Sequence, residues 1–203
     1  MNKRQVNAQI TRAKLIDSVK ELLKTKPFDE INVVSITQHA GVAKGTFYIY
    51  FKRKEDILYE IGFKQFDGLY DRFVNSKKDF MSNLEDYAST FIMGFEQYGI
   101  NVCRGWISDV LNPNSGKTGV KENKFLNDLE VLKRILAYSV EKGYLKKETP
   151  VETLANIIVV ELYGIATTWC MSDGKFVPSK WNRKFCKFQL KKIFSSYIKK
   201  ENV

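Results

Sequence analysis

The sequence predicts an all-α chain of about nine helices, with a small N-terminal unit followed by a larger one. Three observations predict it. Apolar residues recur with a period near 3.6 through most of the 203 residues. Sustained apolar/polar alternation, the mark of a half-buried strand, is rare. Turn chemistry cuts the periodic segments apart at Pro27, Gly41, Asn75 to Lys78, Asn112 to Gly119, Gly143 and Ser172 to Gly174.

The first helix carries Ile10, Ile16, Val19, Leu22 and Leu23 on one face and stops before Pro27, which disfavours helix at Lys26. A short helix follows from Val33 to Ala40, with Asn32 as its N-cap. Ser35 stands where Glu or Gln would complete a capping box, so none is expected. Gly41 supplies the positive φ of a tight turn, and a third short helix runs from Ala43 to Tyr50. From Lys54 one longer helix presents Leu58, Ile61, Phe66, Leu69, Tyr70 and Phe73, ending in the polar run Asn75-Ser76-Lys77-Lys78.

The next helix has the stripe Leu84, Tyr87, Ala88, Phe91, Ile92, Phe95 and Tyr98. A short one near Cys103 to Leu111 ends at Asn112-Pro113, before a loop rich in turn residues. A helix from Glu122 to Lys142 stops at Gly143, a good residue just past a helix end. Pro150 opens the next, which reaches Met171, and the last runs from Asn182 to Lys199. This reading puts the domain boundary at 55/56, with residues 1–55 in the N-terminal domain and 56–203 in the C-terminal one.

Composition narrows the function. Net charge is +10, and residues 1–55 hold 11 basic against 5 acidic side chains. More than half the excess therefore sits in about a quarter of the chain, which points to a polyanionic partner, nucleic acid ahead of an anionic membrane. Met1 to Gln9 is polar and no apolar leader follows. Asn156 and Glu161 interrupt the apolar stretch Leu154 to Met171, which reads as a buried helix and not as a span. Cys103, Cys170 and Cys186 fit neither a disulfide framework nor a zinc site. A soluble cytoplasmic protein is expected, without cofactor, metal or membrane partner.

Two short helices joined by a glycine turn are the minimal device for placing a helix in a DNA major groove. Lys44, Gly45 and Thr46 occupy the first turn of the second helix. There a lysine can donate to guanine or phosphate, a glycine permits close approach, and a threonine offers both hydroxyl and methyl. Tyr48 and Tyr50 present phenols to phosphates. Lys52, Arg53 and Lys54 follow, and the helix start beside them offers amides for a further phosphate. Phe47, Phe51 and Ile36 read as core. His39, the single histidine, has no ligating neighbours in sequence. Lys3, Arg4 and Arg12 read equally as backbone contacts or as a solvated face.

The run His39-Ala40-Gly41-Val42-Ala43-Lys44-Gly45-Thr46-Phe47-Tyr48-Ile49-Tyr50-Phe51, with Lys54-Glu55 after it, resembles the signature of the TetR (tetracycline-repressor-like) family over roughly residues 10–60. The resemblance implies a two-fold dimer joined through the last two helices. It also implies an effector cavity in the C-terminal domain and release of operator DNA when that cavity fills. Carried across by position, Lys44, Gly45, Thr46, Tyr48, Tyr50 and Lys54 face DNA, and Asn32 meets a phosphate. Three positions depart from the family pattern: Ala43 replaces a capping serine, Asn32 a threonine, and Val34 a polar residue.

The C-terminal domain is rich in aromatics, mostly core by their spacing. Tyr87, Phe91, Phe95, Trp106, Tyr138 and Trp169 are candidate lining for a lipophilic effector, with Glu161 beside them. Glu161 reads as a polar contact at a dimer seam, a solvated residue or a ligand counter-ion. The basic, aromatic last helix reads as a dimer seam ahead of a membrane-surface device. No nucleophile–base pair, phosphate-cradling glycine loop or metal cluster marks an enzyme. The expected function is a ligand-responsive transcriptional regulator, a repressor of a palindromic operator. The alternative is an architectural or division-associated DNA binder without a small-molecule switch.

Overall fold

The computed structural model describes residues 2–62, 68–111 and 124–199. Among these the chain is all-α, with one isolated antiparallel bridge between Leu145 and Ile198. The helices are α1 (Lys3–Leu23), α2 (Val33–Ala40), α3 (Lys44–Tyr50), α4 (Glu55–Gly62), α5 (Leu69–Val74) and α6 (Phe80–Tyr98). They continue as α7 (Ile100–Leu111), α8 (Lys124–Glu141), α9 (Val151–Met171), α10 (Pro178–Phe185) and α11 (Lys191–Phe194). A 3-10 turn, Phe28–Glu30, precedes α2, and a π turn, Cys186–Leu190, joins α10 to α11.

The chain forms two compact units, Met1–Lys64 with Tyr98–Val120, and Gln65–Gln97 with Lys121–Val203. A cut at 55/56 does not reproduce them. Helix α4 packs on α1, and α7 returns to pack on α4 and on the 3-10 turn. The core of the first unit shows why: Leu15, Val19, Phe28, Ile31, Ile36, Phe47, Ile57 and Leu58 are buried together, and Val102 of α7 joins them. In α1, Leu15 takes the inward place, whereas Ile10 is exposed because the first turns of the helix have no partner layer within the unit.

In the second unit α8 packs on α5 and α9, and α10 packs on α9. Inward residues of α6 (Leu84, Ala88, Phe91, Ile92), α8 (Leu132, Ile135, Leu136) and α9 (Leu154, Ile158, Leu162, Ile165) build its core. Asp79 starts α6 by accepting the Ser82 amide at 3.0 Å, and the Ser82 hydrogen bonds hold its carboxyl below the ordinary carboxylate range. Helix α9 is long and apolar enough to cross a membrane by length and composition, with a mean hydropathy of 1.5. Its inward stripe is part of this packed core.

Three expected elements differ. The single helix expected from Lys54 is instead α4 and α5, with Gly68 at φ 78° capping the second; Phe66 lies outside the described residues. The short helix expected near Cys103 begins earlier, at Ile100, because Gly99 at φ 83° turns the chain and starts it there. The last helix starts at Pro178, where a fixed φ and a missing N–H suit a first turn. Asn112-Pro113 and the loop to Gly119 lie outside the described residues.

Candidate nucleic-acid interface

Helices α2 and α3 meet through Gly41 in the left-handed conformation, φ 67° and ψ 35°, as a tight turn requires. Ile36 and Phe47 are fully buried on their inner sides, and Phe51 packs tilted on Phe47 with ring centroids 5.6 Å apart. Those core contacts fix which face of α3 is left outward.

Outward lie Lys44 and Gly45, then Tyr48, with Thr46 and Tyr50 half-buried. A Cβ at Gly45 would meet nothing within 4 Å. Packing inside the chain therefore gives no reason for this glycine, although glycine costs a helix roughly 1 kcal/mol against alanine. The space above it is room for an approaching partner. Ala43 leaves α3 without a side-chain cap, as its residue type predicts. Ile49 is 77% exposed beside this face. Sequence reasoning passed over it because it sits between the core residues Phe47 and Phe51. Its register four residues after Gly45 was the available signal. Val34 on α2 is likewise exposed, and an apolar side chain there is suited to a thymine methyl.

Asn32 is exposed and caps α2, its Oδ1 accepting the Ser35 amide at 2.9 Å. The capping box thought absent is present: Ser35 Oγ accepts the Asn32 amide at 3.2 Å. A serine hydroxyl is short, but the extended backbone of Asn32 brings the amide within its reach.

The start of α4 differs from expectation in two respects. The Lys52 and Arg53 amides both donate to Asp56 Oδ2 at 2.9 Å, so an internal carboxylate occupies the place expected for a phosphate. Lys54 does not point outward from the motif. Its Nζ donates to the carbonyls of Phe28 (2.9 Å), Asp29 (3.3 Å) and Ile31 (2.8 Å), which takes up its three N–H groups. Arg12 is held too, 2.5 Å from Glu60 and over the Phe51 ring. The outward cationic side chain of α3 is Lys44.

Residues 15–61 match the family described as bacterial regulatory proteins, tetR family. The match takes in about a quarter of the chain, and it is this segment that is similar to the tetR family. The chain is 26% identical over 164 residues, 80% of this chain and 84% of the relative, to the fatty acid metabolism regulator protein of Bacillus subtilis. Its fold resembles that of the fatty acid degradation regulator FadR from Bacillus halodurans, with a TM-score of 0.68 and 21% identity, covering 87% of this chain and 93% of that one. It also resembles Bacillus subtilis FadR in complex with stearoyl-CoA, with a TM-score of 0.66 and 24% identity, covering 87% and 96%. The matched segment begins at the first buried residue of α1, Leu15, and ends with α4, so the tetR-family match contains the whole outward face of α3.

The aromatic candidates of the C-terminal half divide. Tyr87, Phe91 and Phe95 share the inner face of α6, and Trp169 is buried on α9. Tyr138 is half-buried and donates to the Val74 carbonyl at 3.4 Å. Trp106 is buried on α7, which belongs to the first compact unit. Glu161 is half-buried and borders an outward stripe of α9. A cleft of about 380 Å³ in the second unit is lined by Arg72, Phe73, Asn83, Asp86, Tyr87 and Met93 among others, and of the candidates it includes Tyr87.

A buried polar group escaped sequence reasoning. Asp128 of α8 accepts a hydrogen bond from the Tyr163 hydroxyl at 2.8 Å and pairs with Lys124. Burial pushes its carboxyl up from the ordinary range, against Lys124 and Tyr163, which favour the charged form. Burial, with the Asp128 charge, also pushes the Tyr87 and Tyr163 phenols up. The ring of Tyr163 stands against Phe91 and Phe125. The signal in the sequence was an acid four residues before the core residue Leu132, on the inward register of α8.

Proposed function

We propose that the protein is a soluble, cytoplasmic, dimeric repressor that reads a palindromic operator through α3 and is released by a lipophilic effector of the acyl-coenzyme A type. The observation that carries the DNA reading is the outward face Lys44-Gly45-Thr46-Tyr48, with open space over Gly45 and a buried inner face that fixes its direction. Lys44 and Thr46 contact bases or phosphates, Tyr48 and Tyr50 phosphates, and Asn32 a phosphate at the start of α2. By role, reading is assigned to residues 1–55 and sensing and pairing to 56–203.

Dimerisation is supported by the outward side of the last helices. On α9, Ile157, Val160 (58% exposed) and Met171 (75%) project on one side, and Trp181 and Phe188 are exposed on the final helical run. A second copy covers this apolar surface, and Glu161 lies at its border. The acyl-coenzyme A reading is supported by the similarity to the fatty acid metabolism regulator over most of the chain and by the stearoyl-CoA complex of the Bacillus subtilis FadR. The aromatic interior around Phe91, Phe95 and Tyr163 is suited to an acyl chain.

The test is selection of binding sites from a random-sequence duplex pool. The expected product is an inverted repeat whose half-site centres lie about 34 Å apart or at a multiple of that. Stearoyl-CoA is then added to the complex, and dissociation is expected at micromolar concentrations, where free stearate and coenzyme A leave it intact. A pool that never enriches a repeat refutes the regulator, and a complex indifferent to stearoyl-CoA refutes the effector.

A further inference from the structure

Lys54 stands at the exit of the helix-turn-helix, four residues after Tyr50, yet its ammonium turns back to the entrance. The carbonyls it binds belong to the 3-10 turn Phe28–Glu30 and to Ile31, and that of Phe28 also accepts the Ile31 amide at 3.0 Å, so the ammonium joins the turn's own hydrogen bonding. The ammonium also lies 4.6 Å from the centre of the Phe28 ring, within cation–π range. The next residue after Ile31 is Asn32, the cap of α2. On the α7 side, the Phe28 side chain is in close contact with Gly105: a Cβ there would lie 2.9 Å from Phe28 Cβ. The turn is thus held both by Lys54 and by α7.

We propose that Lys54 is a positioning residue for operator recognition, a clasp that ties the exit of the motif to its entrance and sets the angle at which α3 enters the groove. The inference rests on the reading of α3 as the DNA-reading helix. The clasp closes loops with sequence separations of 23 to 26 residues, and both α2 and α3 lie inside them. An ammonium has three N–H donors, so a phosphate can be served only by releasing a carbonyl. Phosphate binding by this side chain would therefore loosen the motif it is meant to anchor.

The two roles separate in the salt dependence of binding. Each phosphate contact contributes about one unit to the slope of log affinity against log salt. Lys54→Met is compared with the unaltered full chain on a duplex selected from the random pool. The clasp predicts a loss of about tenfold or more in operator affinity with the slope unchanged. It also predicts, in the free protein, faster amide exchange in α2 and α3 together. A slope lower by about one, unchanged affinity, or unchanged exchange overturns it. Should Lys54→Met fail to fold, Lys54→Arg decides. Arginine keeps the charge a phosphate needs, but its planar fork cannot meet three converging carbonyls, so affinity still falls; full affinity with Arg overturns the clasp. If the unaltered protein enriches no sequence, the regulator reading fails by itself, and the exchange experiment still decides whether Lys54 closes the motif.

Discussion

Ala43 brings the chain into α3 with extended backbone and no side-chain acceptor for the first amides. Serine at this position supplies one, and Ala43→Ser is expected to raise stability by about 0.5–1 kcal/mol, read from urea midpoints. No gain would mean that those amides already have partners. Asp128 makes a pH prediction. Its carboxyl is pushed up from 3.8 in the folded protein, so the folded state holds the proton more tightly than the unfolded one. The stability it contributes is fully present below 3.8 and is lost as pH rises through the folded value. The stability of the unaltered protein relative to Asp128→Asn should therefore decline over that window; a difference that grows with pH would contradict it. Residues such as these mark the limit of what the sequence shows. Asn32 was legible as a cap because capping is local in sequence. Lys54 was not, because its partners lie 23 to 26 residues away and its residue type alone suggested a phosphate.

At the scale of elements, α2 and α3 were legible almost to the residue, since caps and a left-handed glycine bound them. The break between α4 and α5 was not, because the apolar period continues through it and Gly68 shows its turn only in its dihedrals. The final helix hides another irregularity. Asn182, Cys186, Leu190 and Phe194 are all buried at four-residue spacing, which on a regular α-helix would drift by about 120°. The π turn Cys186–Leu190 absorbs that drift and keeps the four on one face. Burial there also pushes the Cys186 thiol up to about 11, which leaves it a packing residue. Where α7 meets the 3-10 turn, Gly105 allows the approach. Gly105→Ala forces the Phe28 side chain aside and is expected to cost about 1–3 kcal/mol, measured by denaturant unfolding. A variant of unaltered stability would show that the turn yields easily.

For the whole molecule, the all-α class was legible from periodicity, and the similarity to the tetR family from the run Gly41 to Tyr50, whose residues each serve a local purpose. The effector side was less so, because aromatic residues that line a site and those that fill a core share the same helical spacing. Pairing of two copies is testable at this scale: Val160→Arg places a charge in the middle of the outward stripe of α9 and should give a monomer in sedimentation. A dimer of unchanged strength would move the interface elsewhere. The return of α7 to the first unit has a consequence for how such proteins can be recombined. A gene fusion joined at residue 55, or even at 64, would leave behind Val102, which belongs to the core of that unit, and Gly105, which admits Phe28. The first unit is one body in space but two passages of sequence, and a chimera that grafts it onto another protein must carry both.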